Sequence, residues 1–129
     1  MTGKHHAARD ATSADHGWGT LTWLADSELT GTEGVTLGRT IIKPGEGNPR
    51  HRHNTCEEVV YLLSGRLRHS VGDGAVVLEA GDTLGIPAGE FHNAVNIGHE
   101  DADVIVAYST GQRDFELEAR CTRLRSQVA

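Results

Sequence analysis

A chain of 129 residues makes about one domain and can hide roughly two-thirds of its extended surface, enough for a core without disulfide staples. With 12 Lys and Arg against 18 Asp and Glu, a net charge of −6 and no basic blocks, nucleic acid is excluded as the main partner. No run approaches the ~18 apolar residues of a membrane-spanning helix, and two cysteines, Cys56 and Cys121, are too few for a disulfide scaffold and fit a reducing cytoplasm.

Residues 1–17 are polar, His-bearing and without period; they predict a flexible arm, and they lack the apolar stretch of a secretory signal. From Trp18 the pattern turns strand-like. Thr20 to Leu24 is a short β-prone run, and Val35 to Ile42 is a second, closed by Lys43-Pro44-Gly45. Val59 to Leu63 ends at Ser64-Gly65. Arg66 to Val71 alternates and meets Gly72-Asp73-Gly74, a hairpin turn. Ala75 to Leu78, Thr83 to Ile86, His92 to Ile97 and Val104 to Tyr108 complete about eight short strands, the count of a β-sandwich or small barrel. Leu117, Cys121, Leu124 and Val128 recur at helical spacing, so residues 115–126 are expected to form an amphipathic helix. The chain thus divides into an arm (1–17), a barrel (18–112) and a helical tail (113–129).

Eight histidines are more than a chain of this size usually carries, and three stand in chemistry-bearing contexts. His51 and His53 are two apart, so on a strand both rings leave one face and can chelate one metal ion. Glu57 and Glu58 follow. Strict alternation from His53 favours Glu57, yet Asn54-Thr55-Cys56 looks like a turn that resets the register, which leaves both open. Further on, Pro87 and Gly89 fix a bend just before His92, so His92 opens a strand with little backbone freedom.

These two segments resemble the paired motifs of the cupin superfamily. The first, G-x5-H-x-H-x4-E-x6-G, is met by Gly45, His51, His53, Glu58 and Gly65; the second, G-x5-P-x-G-x2-H-x3-N, by Gly81, Pro87, Gly89, His92 and Asn96. The resemblance spans about residues 35–110. It implies an all-β fold, a double-stranded β-helix or jelly-roll barrel, holding one divalent transition metal (Fe, Mn, Zn, Ni or Cu) on His51, His53, Glu58 and His92. The motif's spacing selects Glu58 over Glu57 and turns Glu57 to the other face.

Three imidazoles and one carboxylate form a mixed N/O set, and on a six-coordinate ion they leave two positions open for chemistry. Ile42, Cys56, Phe91, Asn96 and Tyr108, with Trp23, are candidates to line a substrate pocket, Asn96 also as a hydrogen-bond partner of His92. Glu58 is the one candidate catalytic group. Arg66 and Arg68 share a face and read chiefly as solvated sheet cations.

The expected function is a metal-dependent enzyme acting on a small acidic, phenolic or enolisable molecule, by dioxygenase-type chemistry or by Lewis-acid isomerase, lyase or cyclase chemistry. The alternative is a non-catalytic small-molecule-binding module. A homodimer is expected, with Val59, Tyr61 and the tail helix as contact candidates.

Overall fold

The computed structural model describes residues 2–119. After one 3-10 turn at Ala8–Asp10, eleven strands follow: β1 (Ser13–Asp15), β2 (Gly19–Ala25), β3 (Thr36–Ile42), β4 (His51–Arg52), β5 (Glu58–Ser64), β6 (Arg66–Val71), β7 (Gly74–Glu79), β8 (Thr83–Ile86), β9 (His92–Asn96), β10 (Ala102–Tyr108) and β11 (Glu116–Leu117). They form a six-stranded sheet, β1-β2-β3-β10-β5-β8, and a five-stranded sheet, β11-β4-β9-β6-β7. All the pairings are antiparallel, and the fold is the double-stranded β-helix.

Period-two patterning drives the assembly. β3, β9 and β10 bury alternate residues along their whole length, as β5 does over its first five. Ile42, Val60, Leu62, Leu67, Val104 and Val106 meet between the sheets, each burial contributing roughly 1.5–3 kcal/mol. Two glycines shape the interior. A Cβ on Gly38 would lie 2.7 Å from the Trp23 ring, so only glycine admits that ring against β3. Gly65, at φ +96°, turns β5 into β6, and a Cβ there would come 2.8 Å from the Ala102 Cα. Gly65→Ala is therefore expected to lower unfolding free energy by about 2 kcal/mol, read as a reduced denaturant midpoint at unchanged slope.

Two expectations from the sequence are corrected. Ser13–Asp15, inside the stretch predicted as a flexible arm, pairs with Thr20–Thr22 and extends the six-stranded sheet. The helical tail is not what its first residues form: Glu116 and Leu117 pair with Arg52 and His51, and the Glu118 N–H donates to the Arg50 carbonyl. Leu117 is 56% exposed, so it does not anchor the apolar helix face that its spacing implied. The local reason is that β4 needs an edge partner for its backbone, and residues 116–118 satisfy it. Cys121, Leu124 and Val128 lie outside the described residues.

Candidate functional site

The two sheets bring together the ends of β4, β5 and β9. His51 stands on β4 directly opposite His92, the first residue of β9. His53 follows β4 by one residue, and Glu58 enters from the other sheet as the first residue of β5. The turn at Asn54 and Thr55 changes the alternation, so His53 and Glu58 are buried while Glu57 is exposed. All four side chains are buried, and one ligand atom from each lies within 4.8 Å of the others. The ring centroids of His51 are 5.0 Å from those of His53 and 4.4 Å from those of His92.

Each ring is oriented by its back nitrogen. Nδ1 of His51 faces the Pro49 carbonyl at 2.8 Å, Nδ1 of His53 the Asp114 carbonyl at 2.5 Å, and Nδ1 of His92 the Glu90 carbonyl at 2.9 Å. A carbonyl oxygen only accepts, so each Nδ1 carries the proton and each Nε2 presents a lone pair inward. Nε2 of His53 and of His92 lie 3.3 and 3.0 Å from the same Glu58 Oε1, and all three atoms are buried without a hydrogen-bond partner. Lone pairs facing a carboxylate in a buried space repel one another, and a cation between them removes that penalty. The donor set therefore fits a divalent metal ion, and these four residues can hold one.

The ionisation of the site follows from burial and its neighbours. Burial lowers the His51 pKa to about 4 and lowers that of His69 as well. Burial pushes the Glu58 carboxyl up, and only a proton or a cation held between it and the His53 and His92 nitrogens pulls it down. Tyr108 is pushed well above the ordinary phenol value by burial and by the Glu58 charge. In the metal-free protein, His51 stays uncharged down to about pH 4, whereas in the unfolded chain it takes a proton near 6.5. The unfolded state then binds more protons across that window, so stability declines as pH falls through it. His51 alone should cost on the order of 3 kcal/mol between pH 7 and 4, with His69 acting in the same direction. Denaturant midpoints across this range measure it; a flat profile would contradict the burial of these rings.

A cavity of about 320 Å³ opens beside the four groups. Its walls are largely apolar and aromatic, with Trp18, Leu21, Trp23, Ile42, Val104, Val106 and Phe115 among them. Of the predicted pocket residues, Ile42, Tyr108 and Trp23 line it. Cys56, Phe91 and Asn96 do not, and these are corrections. Cys56 is packed into the core between the sheets. Phe91 lies under the Arg52 guanidinium, 4.4 Å from its ring centroid. The Asn96 amide donates to the Ile42 and Glu100 carbonyls and its oxygen accepts from the Gly98 N–H, which braces a loop and leaves nothing for His92. Arg66 pairs with Glu79 across the outer face of the five-stranded sheet, and Arg68 is exposed.

Several cavity residues escaped the sequence reading. His69 is buried, its ring 5.8 Å from that of His92; alternation from Leu67 along β6 carried that signal. Arg113 and Phe115 reach the cavity from the segment before β11, and Phe115 stacks on His51 at 4.8 Å. No local pattern marks them.

Comparison with known proteins agrees with this architecture. The family profile described as "Cupin domain" matches residues 38–108. The chain is similar to Germin-like protein 3-8 of Oryza sativa subsp. japonica, 31% identical over 108 residues, covering 78% of this chain and 48% of that protein. It is similar also to Polyketide synthase CurC of Streptomyces cyaneus, 32% identical over 87 residues, with coverage of 67% and 56%. The chain thus spans about half the length of these curated relatives. Among solved structures, the Lactobacillus farciminis oxalate decarboxylase formate complex superposes with a TM-score of 0.81 at 20% identity, over 92% of this chain and 38% of that one. With the profile spanning more than half of the sequence and both histidine motifs meeting at one buried centre, this chain belongs to the cupin superfamily.

Proposed function

We propose that this protein is a divalent-metal-dependent enzyme acting on a small organic molecule with chelating oxygens on an apolar, phenolic or enolisable body. One observation carries the reading: three histidines and Glu58 converge, with buried unpartnered atoms, at the wall of an apolar cavity. His51, His53, Glu58 and His92 hold the ion in this reading, a donor set that suits Fe, Mn, Ni, Zn or Cu. When bound, such an ion supplies Lewis-acid polarisation of a substrate oxygen, and a redox-active one also supports dioxygen chemistry.

The chain's own side chains supply the rest. Trp18, Trp23, Ile42 and Phe115 exclude water and take up the apolar body. Tyr108, protonated at all ordinary pH values, offers an O–H donor beside Glu58, where negative charge develops on an enolised substrate. The cavity also discriminates between substrate classes. Oxalate, named in the structural neighbour, has no apolar surface to place against these walls, whereas a larger apolar-bodied molecule such as a polyketide, the class named in the Streptomyces relative, fills them. Cyclase, isomerase or lyase chemistry follows with zinc and dioxygenase chemistry with iron.

The test is elemental analysis of protein purified without chelators, followed by product analysis and oxygen uptake with phenols, β-diketones and hydroxy acids. About one ion per chain and turnover of an apolar-bodied substrate is the expected result. Tight binding without turnover overturns the enzymatic reading in favour of a binding module. The outer face of β5 adds an oligomeric proposal. Val59, Tyr61 and Leu63 are 49%, 38% and 45% exposed in one stripe, and we assign a homodimer to this face. Sedimentation velocity should give the dimer mass, and Tyr61→Lys should give the monomer. Among the described residues no helix is long and apolar enough to cross a membrane; the cytoplasm is proposed as the compartment on cysteine usage.

A further inference from the structure

We propose that Arg113 is the anion-binding group of the cavity and that the substrate is an organic acid. Its apolar body fills the cavity, its chelating oxygens face His51, His53, Glu58 and His92, and its carboxylate meets the Arg113 guanidinium. The proposal deepens the reading of the site given above and rests on it.

Arg113 is the one Lys or Arg among the described residues that line the cavity. Its guanidinium lies over the Trp23 ring, 4.1 Å from the centroid, with the Tyr108 and Phe115 rings at 5.7 and 5.8 Å. Aromatic stacking engages the face of a guanidinium and leaves the N–H fork in its plane free. Among the described residues that fork makes no hydrogen bond and no ion pair, while Arg39, Arg50, Arg52 and Arg66 are each paired with a carboxylate. Asp26 and Glu28 share the neighbouring groove with Arg113, but neither carboxylate pairs with it, and Asp26 Oδ1 accepts instead from the N–H groups of Glu28 and Leu29. A stacked, half-buried, unpaired guanidinium is a preformed bidentate site for a carboxylate.

Position and charge agree with this. Asp114, the next residue, is held by His53 and by the turn at Asn54 and Thr55, so the Arg113 backbone is anchored to the same elements that carry the ligand set. A divalent ion against the single Glu58 carboxylate leaves the site positive, and Arg113 adds a second positive charge across an apolar cavity. That field selects an anion with acidic oxygens at two separated points, and a neutral ketone or phenol meets only half of it.

The probe 3,4-dihydroxybenzoate carries two chelating oxygens and a carboxylate at opposite ends of one ring, and its methyl ester keeps everything but the charge. Both are titrated calorimetrically, under nitrogen, into zinc-loaded and metal-free wild type, Arg113→Gln and Arg113→Lys. In the wild type the acid is expected to bind about tenfold or more tightly than the ester, the gain of charge-assisted hydrogen bonds. Arg113→Gln removes this preference without changing zinc stoichiometry or the ester's Kd, and Arg113→Lys keeps only part of it. Equal affinities in the wild type, or an acid preference that survives in both variants, overturn the proposal. Zinc uptake is read separately. A wild type that takes up no zinc removes the metal reading, and the acid preference of the metal-free protein still decides the role of Arg113.

Discussion

Glu58→Gln should abolish metal uptake and, in the same protein, raise the stability of the metal-free fold above that of the wild type. The two effects have one cause. Oε1 of Glu58 lies within 3.3 Å of two imidazole nitrogens whose protons sit on the far side of their rings, so the metal-free wild type buries a carboxylate among lone pairs. An amide nitrogen in place of Oε1 carries two N–H groups, one for each Nε2. Closing buried unsatisfied groups of this kind contributes about 1–3 kcal/mol, which should appear as a higher melting temperature in the presence of chelator. The same change removes the only anionic ligand, and zinc affinity should fall by about two orders of magnitude or more. His92→Ala is the complementary variant: it should also lose the metal, with the strand signal of the barrel retained by circular dichroism. Zinc bound by Glu58→Gln at wild-type stoichiometry and affinity would contradict the assignment of Glu58, and a metal-free melting temperature below that of the wild type would contradict the tautomers.

What the sequence discloses divides by range. β3, β5 and β10 are readable in advance as β-prone or apolar runs, β3 and β5 closed by turn residues, while their alternating burial is hidden because apolar side chains stand on both faces. β1, β4 and β11 are only two or three residues long, too short for any period, and they exist because a neighbour supplies hydrogen-bond partners. The four-residue cluster is legible through the resemblance to the cupin motifs: alternation by itself pointed to Glu57, and the turn at Asn54 and Thr55 is what brings Glu58 inward. Cys56, Phe91 and Asn96 sit beside those residues in sequence but turn into the core, onto Arg52 and toward a loop, since proximity along a chain does not fix direction. Arg113, Asp114 and Phe115 were invisible for the opposite reason. They reach the site from some sixty positions away, by contacts that only the closed barrel creates.

Asp114→Ala is expected to loosen the metal centre without touching a ligand. The Asp114 carboxylate accepts from the Asn54 N–H at 2.7 Å, the Thr55 N–H at 3.0 Å and the Thr55 hydroxyl at 2.7 Å, and its carbonyl holds the His53 ring. Against a residual desolvation that raises it, these donors keep the Asp114 carboxyl below the ordinary carboxylate range. One residue thus fixes the turn that sets the inward register of Glu58 and the ring of His53. Alanine keeps the carbonyl but frees the turn, and the strap from Arg113 to Glu118 loses a clamp onto β4, leaving the Arg50–Glu118 and Arg52–Glu116 pairs to hold it. Because the turn is exposed, water replaces much of what is lost, and the fold should give up only about 1 kcal/mol. Metal affinity should suffer more, by roughly 10- to 100-fold, because disordering a ligand before binding raises the ordering cost at the moment of binding. Asp114→Asn, which keeps one acceptor oxygen, should fall between the two. Competitive zinc titrations alongside denaturant melts separate these effects. An affinity loss no larger than the stability loss would reduce Asp114 to an ordinary turn residue.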